Sequence, residues 1–129
     1  MPLSVPSSPA VCAVARPRLL LVFGTRPEAI KMAPLLHALR ADGGFEVRLC
    51  VTAQHRQMLD EVLTLFELQV DYDLDVMTAG QSLNGLCSRL LERLDGVMAT
   101  EQPDLVLVHG DTSTCFMASL AAFQRGIAV

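Results

Sequence analysis

The feature that most constrains this chain is a continuous apolar run that stops at a glycine and is soon followed by a proline. Leu19–Phe23 contains only Leu, Val and Phe, and such an unbroken run is typical of a strand buried on both faces. Gly24 permits a sharp turn, and Pro27 is a residue favoured at the first position of a helix. The junction therefore predicts a buried strand that turns directly into a helix.

Arg26 lies between the carboxyl end of this predicted strand and the amino end of the helix. Unpaired backbone N–H groups and the positive end of the helix dipole favour an anion there, and a guanidinium adds a forked donor. Arg26 is therefore a candidate phosphate ligand. An ion pair between Arg26 and a neighbouring acid such as Glu28 explains the same residue about equally well, and spacing alone does not separate the two interpretations.

Strand-like and helix-like segments alternate along the rest of the chain, with the helical segments marked by apolar residues at spacings of three and four. Repeated strand–helix units joined by right-handed crossovers form a parallel sheet with helices on both faces. The sequence therefore predicts an α/β fold with a doubly wound, Rossmann-like parallel sheet. The predicted segments are the strand Val47–Thr52, the helix Gln57–Phe66, the short strand or extended connection Asp71–Asp75, the helix Gln81–Thr100, the strand Leu105–Val108, the helix Thr112–Gln124 and the opening of a further strand at Ile127–Val129.

Three polar loops follow predicted strands, at the edge where open α/β sheets bind their ligands. They are Gly24–Arg26, Thr52–His55 and His109–Thr112. Within the third loop, Asp111 is either a catalytic carboxylate or the N-cap of the next helix, and either of the two hydroxyl residues that follow it could be the cap instead. Because the conspicuous polar residues meet at one edge, we expect a functional site there.

Pro34 lies inside the first predicted helix, where proline removes a hydrogen bond at a cost of roughly 3 kcal/mol. We expect a kink or a loosened first turn near Lys31, which would direct the Lys31 side chain toward the loops. The alternative, that Lys31 is an ordinary solvated lysine, stays open at this point.

Composition and charge exclude several classes of protein. The net charge is −4 without a basic tract or aromatic platform, which argues against a nucleic-acid partner. No apolar stretch is long enough to span a membrane. The four cysteines have neither Cys-x-x-Cys pairing nor a histidine at ligand spacing, so we expect no metal site, no disulfide framework and a cytoplasmic location.

The two ends of the chain differ from its middle. Residues 1–18 are rich in proline and serine and lack the basic start of a signal peptide, so we expect a disordered tail. Residues 19–129 would then form one Rossmann-like domain. Because Ile127–Val129 stops inside what should be a central strand, we expect this domain to be incomplete at its C-terminal end, as in a fragment.

Three separate stretches, in this order, resemble bacterial non-hydrolysing UDP-N-acetylglucosamine 2-epimerase. They are Val22–Pro34 (VFGTRPEAIKMAP), Val51–Asp60 (VTAQHRQMLD) and Leu107–Thr112 (LVHGDT). The resemblance extends from about Leu20 to Val129. It implies that this chain is most of the first domain of a glycosyltransferase-B type fold, in which two doubly wound domains face each other across the active site.

The same resemblance implies the chemistry and its residues. The family interconverts UDP-N-acetylglucosamine and UDP-N-acetylmannosamine by eliminating UDP and adding it back, without a metal or redox cofactor, and the full-length enzyme is expected to be a homodimer. Position by position, Arg26 and Lys31 match substrate-binding residues and Asp111 matches a catalytic carboxylate. The fragment alone is expected to be inactive.

A second ligand is implied for the loop after the second strand. Gln54, His55 and Gln57 match a loop that, in some members, contacts another UDP-N-acetylglucosamine acting as an allosteric activator. Gly80 stands where some members carry a basic residue that touches this activator, so strong activation is not assured here. A hydrolysing epimerase, a related glycosyltransferase or a non-catalytic sugar-nucleotide-binding module remain alternatives.

Overall fold

The computed structural model describes residues 15–129, so most of the predicted tail lies outside the described residues. Its elements, in chain order, are β1 (Arg18–Phe23), α1 (Arg26–Asp42), β2 (Glu46–Val51), α2 (Arg56–Leu65), β3 (Tyr72–Asp73), α3 (Leu83–Glu101), β4 (Leu105–Leu107) and α4 (Ser113–Gln124). The predicted alternation of strands and helices is confirmed, with boundaries that differ by one or two residues. β1 includes Arg18, at the end of the predicted tail, because Arg18 pairs with Glu46 of β2.

The four strands form one parallel sheet in the order β3-β2-β1-β4. Leu21 of β1 lies opposite Leu49 of β2 on one side and Leu107 of β4 on the other. Ala128 forms a parallel bridge to Leu105, beyond β4. The sheet therefore starts at its centre with β1 and extends in opposite directions, so a topological switch point lies between β1 and β4.

Helices cover both faces of this sheet, as a doubly wound fold requires. The side chains of β1 alternate between two cores, which explains why its run is apolar throughout. Leu20 and Val22 pack with α3 and α4, whereas Leu21 and Phe23 pack with α1 and α2. All four of these side chains are almost completely buried.

α1 continues through Pro34 to Asp42, so the loosened first turn, one of the two outcomes expected near Lys31, does not form. Pro34 is exposed, and the carbonyl group that loses its partner can therefore be solvated. The first turn is held by Glu28, whose Oε2 accepts the Thr25 N–H at 3.1 Å. Within residues 15–129, no helix is both long and apolar enough to cross a membrane.

Candidate functional site

A cavity of about 220 Å³ opens at the switch point, where the loops after β1 and β4 meet. Open α/β sheets bind ligands at this position because the two loops diverge and leave a crevice. The side chains around it include a lysine, two carboxyl groups and an imidazole. The cavity is lined by Thr25, Pro27, Glu28, Lys31, His109, Gly110, Asp111 and Thr112.

Gly24 makes the turn between β1 and α1 possible by letting neighbouring chain segments approach closely. A Cβ added at Gly24 would lie 1.9 Å from Thr52 Oγ1 and 2.8 Å from Thr114 Oγ1. Neither hydroxyl is the free end of a flexible side chain, since both threonines are completely buried. The glycine is therefore required by lack of space, and it brings β1, β2 and α4 together beside the cavity.

Glu28 is a buried carboxyl group, with an exposed fraction of 3%. Its Oε2 accepts hydrogen bonds from the Gly24 N–H at 2.8 Å and the Thr25 N–H at 3.1 Å. Its Oε1 accepts a short hydrogen bond from the Thr112 hydroxyl. A phosphate was expected to bind free backbone amides at this junction. Two of these amides, those of Gly24 and Thr25, are instead bonded to the Glu28 carboxyl group.

Arg26 is exposed at the first position of α1. Glu28 is bonded to backbone and hydroxyl donors, and no ion pair of Arg26 is found within residues 15–129. The alternative in which Arg26 pairs with Glu28 is therefore wrong. Arg26 does not line the cavity, although Thr25 and Pro27 on either side of it in the sequence do, whereas Lys31, further along α1, lines it.

Asp111 is not the N-cap of α4. Thr112 takes that position, and its Oγ1 accepts the Cys115 N–H at 3.2 Å. Asp111 is exposed and lines the cavity together with His109. Gly110 has a φ of 97°, which residues with a Cβ rarely adopt, and this turn separates Asp111 from the end of β4.

The β2–α2 loop is joined to the end of β1 and to α4 through Thr52 and Gln54. The Gln54 N–H donates to the Gly24 carbonyl at 2.9 Å, and Gln54 Oε1 accepts the Thr114 hydroxyl at 2.6 Å. Thr52 and Thr114 are also hydrogen bonded, at 2.8 Å. Because each hydroxyl donates one proton, Thr52 donates to Thr114 and Thr114 donates to Gln54.

His55 and Gln57 lie apart from this network. His55 is exposed and precedes α2, where its carbonyl accepts the Leu59 N–H at 3.0 Å. Gln57 lines an open groove along α2, with a volume of about 760 Å³, together with Arg56. Arg56 forms ion pairs with three aspartates, which fixes the start of α2; they are Asp60, Asp73 and Asp75. Gln54 is thus held in the network with Thr114, whereas Gln57 lines the groove along α2.

Two residues of the site were missed by sequence reasoning. Glu28 has a recognisable signal, because Thr25-x-x-Glu28 is the spacing of a capping box. Thr114 has no such signal, since its contacts are to residues 60 or more positions away.

Burial raises the pKa of the Cys115 thiol, and the negative charge of the nearby Glu28 is the next largest cause of this increase. Among residues 15–129, no group of three or more His, Cys, Asp or Glu side chains could hold a metal ion.

Fold and cleft together define an open, doubly wound α/β protein with its ligand site at the switch point. A family model described as UDP-N-acetylglucosamine 2-epimerase matches residues 37–129. The chain is 61% identical over 112 residues to the UDP-N-acetylglucosamine 2-epimerase of Yersinia pestis and 58% identical to that of Escherichia coli K12, covering 87% of this chain in both. The chain belongs to the UDP-N-acetylglucosamine 2-epimerase family.

Solved structures agree with this assignment. The UDP-N-acetylglucosamine 2-epimerase of Neisseria meningitidis bound to UDP-N-acetylglucosamine superposes with a TM-score of 0.81 at 52% identity, over 85% of this chain and 30% of that structure. The chain also spans only about 30% of the length of the curated relatives that it matches.

Proposed function

We propose that this chain contributes the first domain of a non-hydrolysing UDP-N-acetylglucosamine 2-epimerase, an isomerase that interconverts UDP-N-acetylglucosamine and UDP-N-acetylmannosamine. The observation that carries the proposal is the cavity at the switch point, which is lined by Lys31 and by Asp111, a residue free of any capping role. Relatives that share half or more of their aligned residues with this chain are named UDP-N-acetylglucosamine 2-epimerase, and one was solved with UDP-N-acetylglucosamine bound.

The sugar chemistry explains why such residues are needed. The proton on carbon 2 is weakly acidic, so the proposed reaction eliminates UDP: the bond from carbon 1 to oxygen breaks, the carbon 2 proton passes to a base in the cleft, and a double bond forms between carbons 1 and 2. Protonation of carbon 2 on the other face, followed by re-addition of UDP, gives the epimer. Asp111 would take part in proton transfer or orient the groups that do, since a carboxylate can exchange protons in the cleft.

The departing UDP carries the negative charge that develops during elimination. Lys31 lines the cavity, and Arg26 lies at the amino end of α1, between two residues that line it. Because Glu28 occupies the amides of Gly24 and Thr25, we assign the diphosphate to these two cationic side chains. Cations placed where charge develops stabilise a transition state more than the ground state.

Further features of the whole enzyme belong to the same proposal. The sheet of residues 19–129 would face a second doubly wound domain in a glycosyltransferase-B type arrangement, and the enzyme would be a cytoplasmic homodimer. His55 and Gln57 would contact an activating UDP-N-acetylglucosamine, as in some members of the family. Gln54 would support that loop from within, because Thr114 engages its side-chain oxygen.

The test uses a chimera in which the 112 matched residues of this chain replace their counterparts in the Escherichia coli relative. Nuclear magnetic resonance of the products from UDP-N-acetylglucosamine distinguishes the outcomes. UDP-N-acetylmannosamine without free sugar supports the proposal, whereas free N-acetylmannosamine and UDP indicate a hydrolysing enzyme. A folded chimera that binds UDP-N-acetylglucosamine without converting it indicates a non-catalytic module.

The activator role is tested separately in this chimera. A His55→Ala/Gln57→Ala variant is expected to lower the cooperativity of the rate curve more than its maximum rate, because the two side chains would act at a second site. The control is Met58→Ala, which changes an exposed neighbour on α2. Rate curves of unchanged shape in the double variant would contradict an activator role for these residues.

A further inference from the structure

The carboxyl group of Glu28 lies between the two loops that form the cleft. It accepts from both amides of the β1–α1 turn through Oε2, and from the Thr112 hydroxyl of the β4–α4 loop through Oε1. Glu28 and Thr112 are 84 residues apart in the sequence. One side chain therefore connects two segments that no backbone hydrogen bond is found to join in the part of the chain that the structure describes.

Glu28 is bonded to the β4–α4 loop next to Asp111. Thr112, which follows Asp111, donates its hydroxyl hydrogen to Glu28. Gly110, which precedes Asp111, lies near the same side chain, since an added Cβ there would be 3.9 Å from Glu28 Cγ. A displacement of this loop away from α1 would therefore break the hydrogen bond between Thr112 and Glu28.

The environment of Glu28 is that of a fixed bridge. The side chain is buried, both carboxyl oxygens have donors from the protein, and the residue lies in the first turn of α1, where the helix dipole favours a negative charge. An ionised carboxyl group accepts hydrogen bonds and donates none. The three donors aimed at Glu28 match that capacity.

We propose that Glu28 is a positioning residue that holds the Asp111 carboxylate at a fixed distance from Lys31, by joining Thr112 to the turn that begins α1. The proposal rests on the function proposed above for Asp111. It places Glu28 outside the proton transfer itself and makes Thr112 the residue through which it acts.

Two variants remove the bridge from its two ends. Thr112→Val keeps the shape but deletes the hydroxyl, and with it both the bond to Glu28 and the N-cap of α4. Glu28→Ala deletes the carboxyl group and leaves the cap of α4 in place. In the chimera, each is expected to lower kcat by roughly tenfold or more while KM changes little, because the hydrogen bond is to a charged group and positions a reacting one. Glu92→Ala, which removes an exposed glutamate from α3, is the matched control and should keep kcat and KM.

The double variant of Glu28 and Thr112 tests the proposal more decisively than either single variant, because it measures the coupling between the two residues. If Glu28 acts through Thr112, the double variant loses less than the product of the two single losses, because the second change removes a bridge that is already broken. Sodium formate, whose carboxylate can replace that of Glu28, is expected to raise the kcat of Glu28→Ala and not that of Thr112→Val. Independent, multiplying losses, or losses in KM alone, would overturn the proposal.

A second measurement does not depend on catalysis. Hydrogen–deuterium exchange over residues 109–112 of the 129-residue chain is expected to become faster in Thr112→Val and in Glu28→Ala, and to stay unchanged in Glu92→Ala. If Glu28→Ala does not fold, Thr112→Val alone decides the result. Unchanged exchange in folded Thr112→Val would overturn the bridge even when the chimera is an active epimerase, whereas faster exchange with an inactive chimera would keep the bridge and contradict the proposed function.

Discussion

The side-chain oxygen of Gln54 accepts a 2.6 Å hydrogen bond from the buried hydroxyl of Thr114. This contact ties the loop after β2 to the first turn of α4, the helix that begins directly after Asp111. Thr52 completes the chain of hydrogen bonds by donating to Thr114. Gln54, for which the family resemblance implies a contact with an activator, therefore also holds the β2–α2 loop against α4.

Thr114→Val is expected to lower the free energy of unfolding by about 1–3 kcal/mol, because it leaves Gln54 Oε1 without its donor and the Thr52 hydroxyl without its acceptor. Urea unfolding followed by circular dichroism measures the change. Thr64→Val, at an exposed position of α2, is the control and should stay within about 0.5 kcal/mol of the parent. Equal effects of the two variants would contradict the network.

Gly24→Ala and Gly96→Ala are expected to change stability in opposite directions. An added Cβ at Gly24 meets Thr52 Oγ1 at 1.9 Å, whereas one at Gly96, inside α3, has no atom within 4 Å. The first change should cost about 1–3 kcal/mol through overpacking, and the second should stabilise by up to about 1 kcal/mol through helix propensity. Thermal unfolding of the two variants provides the comparison, and a tolerated alanine at Gly24 would contradict the close approach.

Stability is expected to fall as the pH rises above about 9, because two groups hold their protons more tightly in the folded chain. Burial, with the Asp73 charge second, raises the pKa of Cys50 from 9.0 to about 12. The hydrogen bond to Glu101, with burial second, raises the pKa of Tyr72 from 10.0 to about 12. Between the ordinary and the raised values the unfolded chain loses these protons first, so the free energy of unfolding decreases with pH.

Unfolding of the parent, Cys50→Ala and Tyr72→Phe between about pH 8 and pH 11 tests this pH dependence. Each variant is expected to show a shallower decline than the parent, whatever its stability at the lower pH. A decline of the same slope in all three proteins would show that neither group is responsible.

Arg26→Ala is expected to lower the kcat/KM of the chimera by roughly 10²-fold, since it removes a cation proposed to stabilise the departing diphosphate. Arg26→Lys should restore only part of the loss, because an ammonium group lacks the forked donors of guanidinium. Arg125→Ala, which breaks an exposed ion pair with Asp95 at the far end of α4, is the control. Unaltered kinetics in Arg26→Ala would exclude Arg26 from the diphosphate site.

Local patterns were sufficient for the fold and for the location of the site. The uninterrupted run of β1 predicted a strand buried on both faces, and the packing of its side chains into two cores confirms it. The loops after β1, β2 and β4 carry the polar residues that meet at the cleft edge, because parallel strands end on the same side of the sheet.

Short-range sequence patterns did not predict which distant residues the side chains of Glu28 and Gln54 contact. Glu28 meets Thr112, and Gln54 meets Thr114, across 84 and 60 residues of sequence. Each choice depends on which donor the fold places nearby, so the interpretation of Arg26 as a partner of Glu28 was wrong. The loosened first turn expected from Pro34 does not form, because the first turn of α1 is held by the hydrogen bonds of Glu28 to the backbone.

The most direct test of the central claim is the incorporation of deuterium at carbon 2 of UDP-N-acetylglucosamine in heavy water. Catalysed by the chimera, exchange is expected to accompany formation of UDP-N-acetylmannosamine. Asp111→Asn, which keeps the shape and most hydrogen bonding of the side chain but removes its charge and basicity, should slow this exchange by roughly 10²-fold or more. Exchange that continues undiminished in Asp111→Asn would contradict the account, because the proton chemistry would then lie outside this cleft.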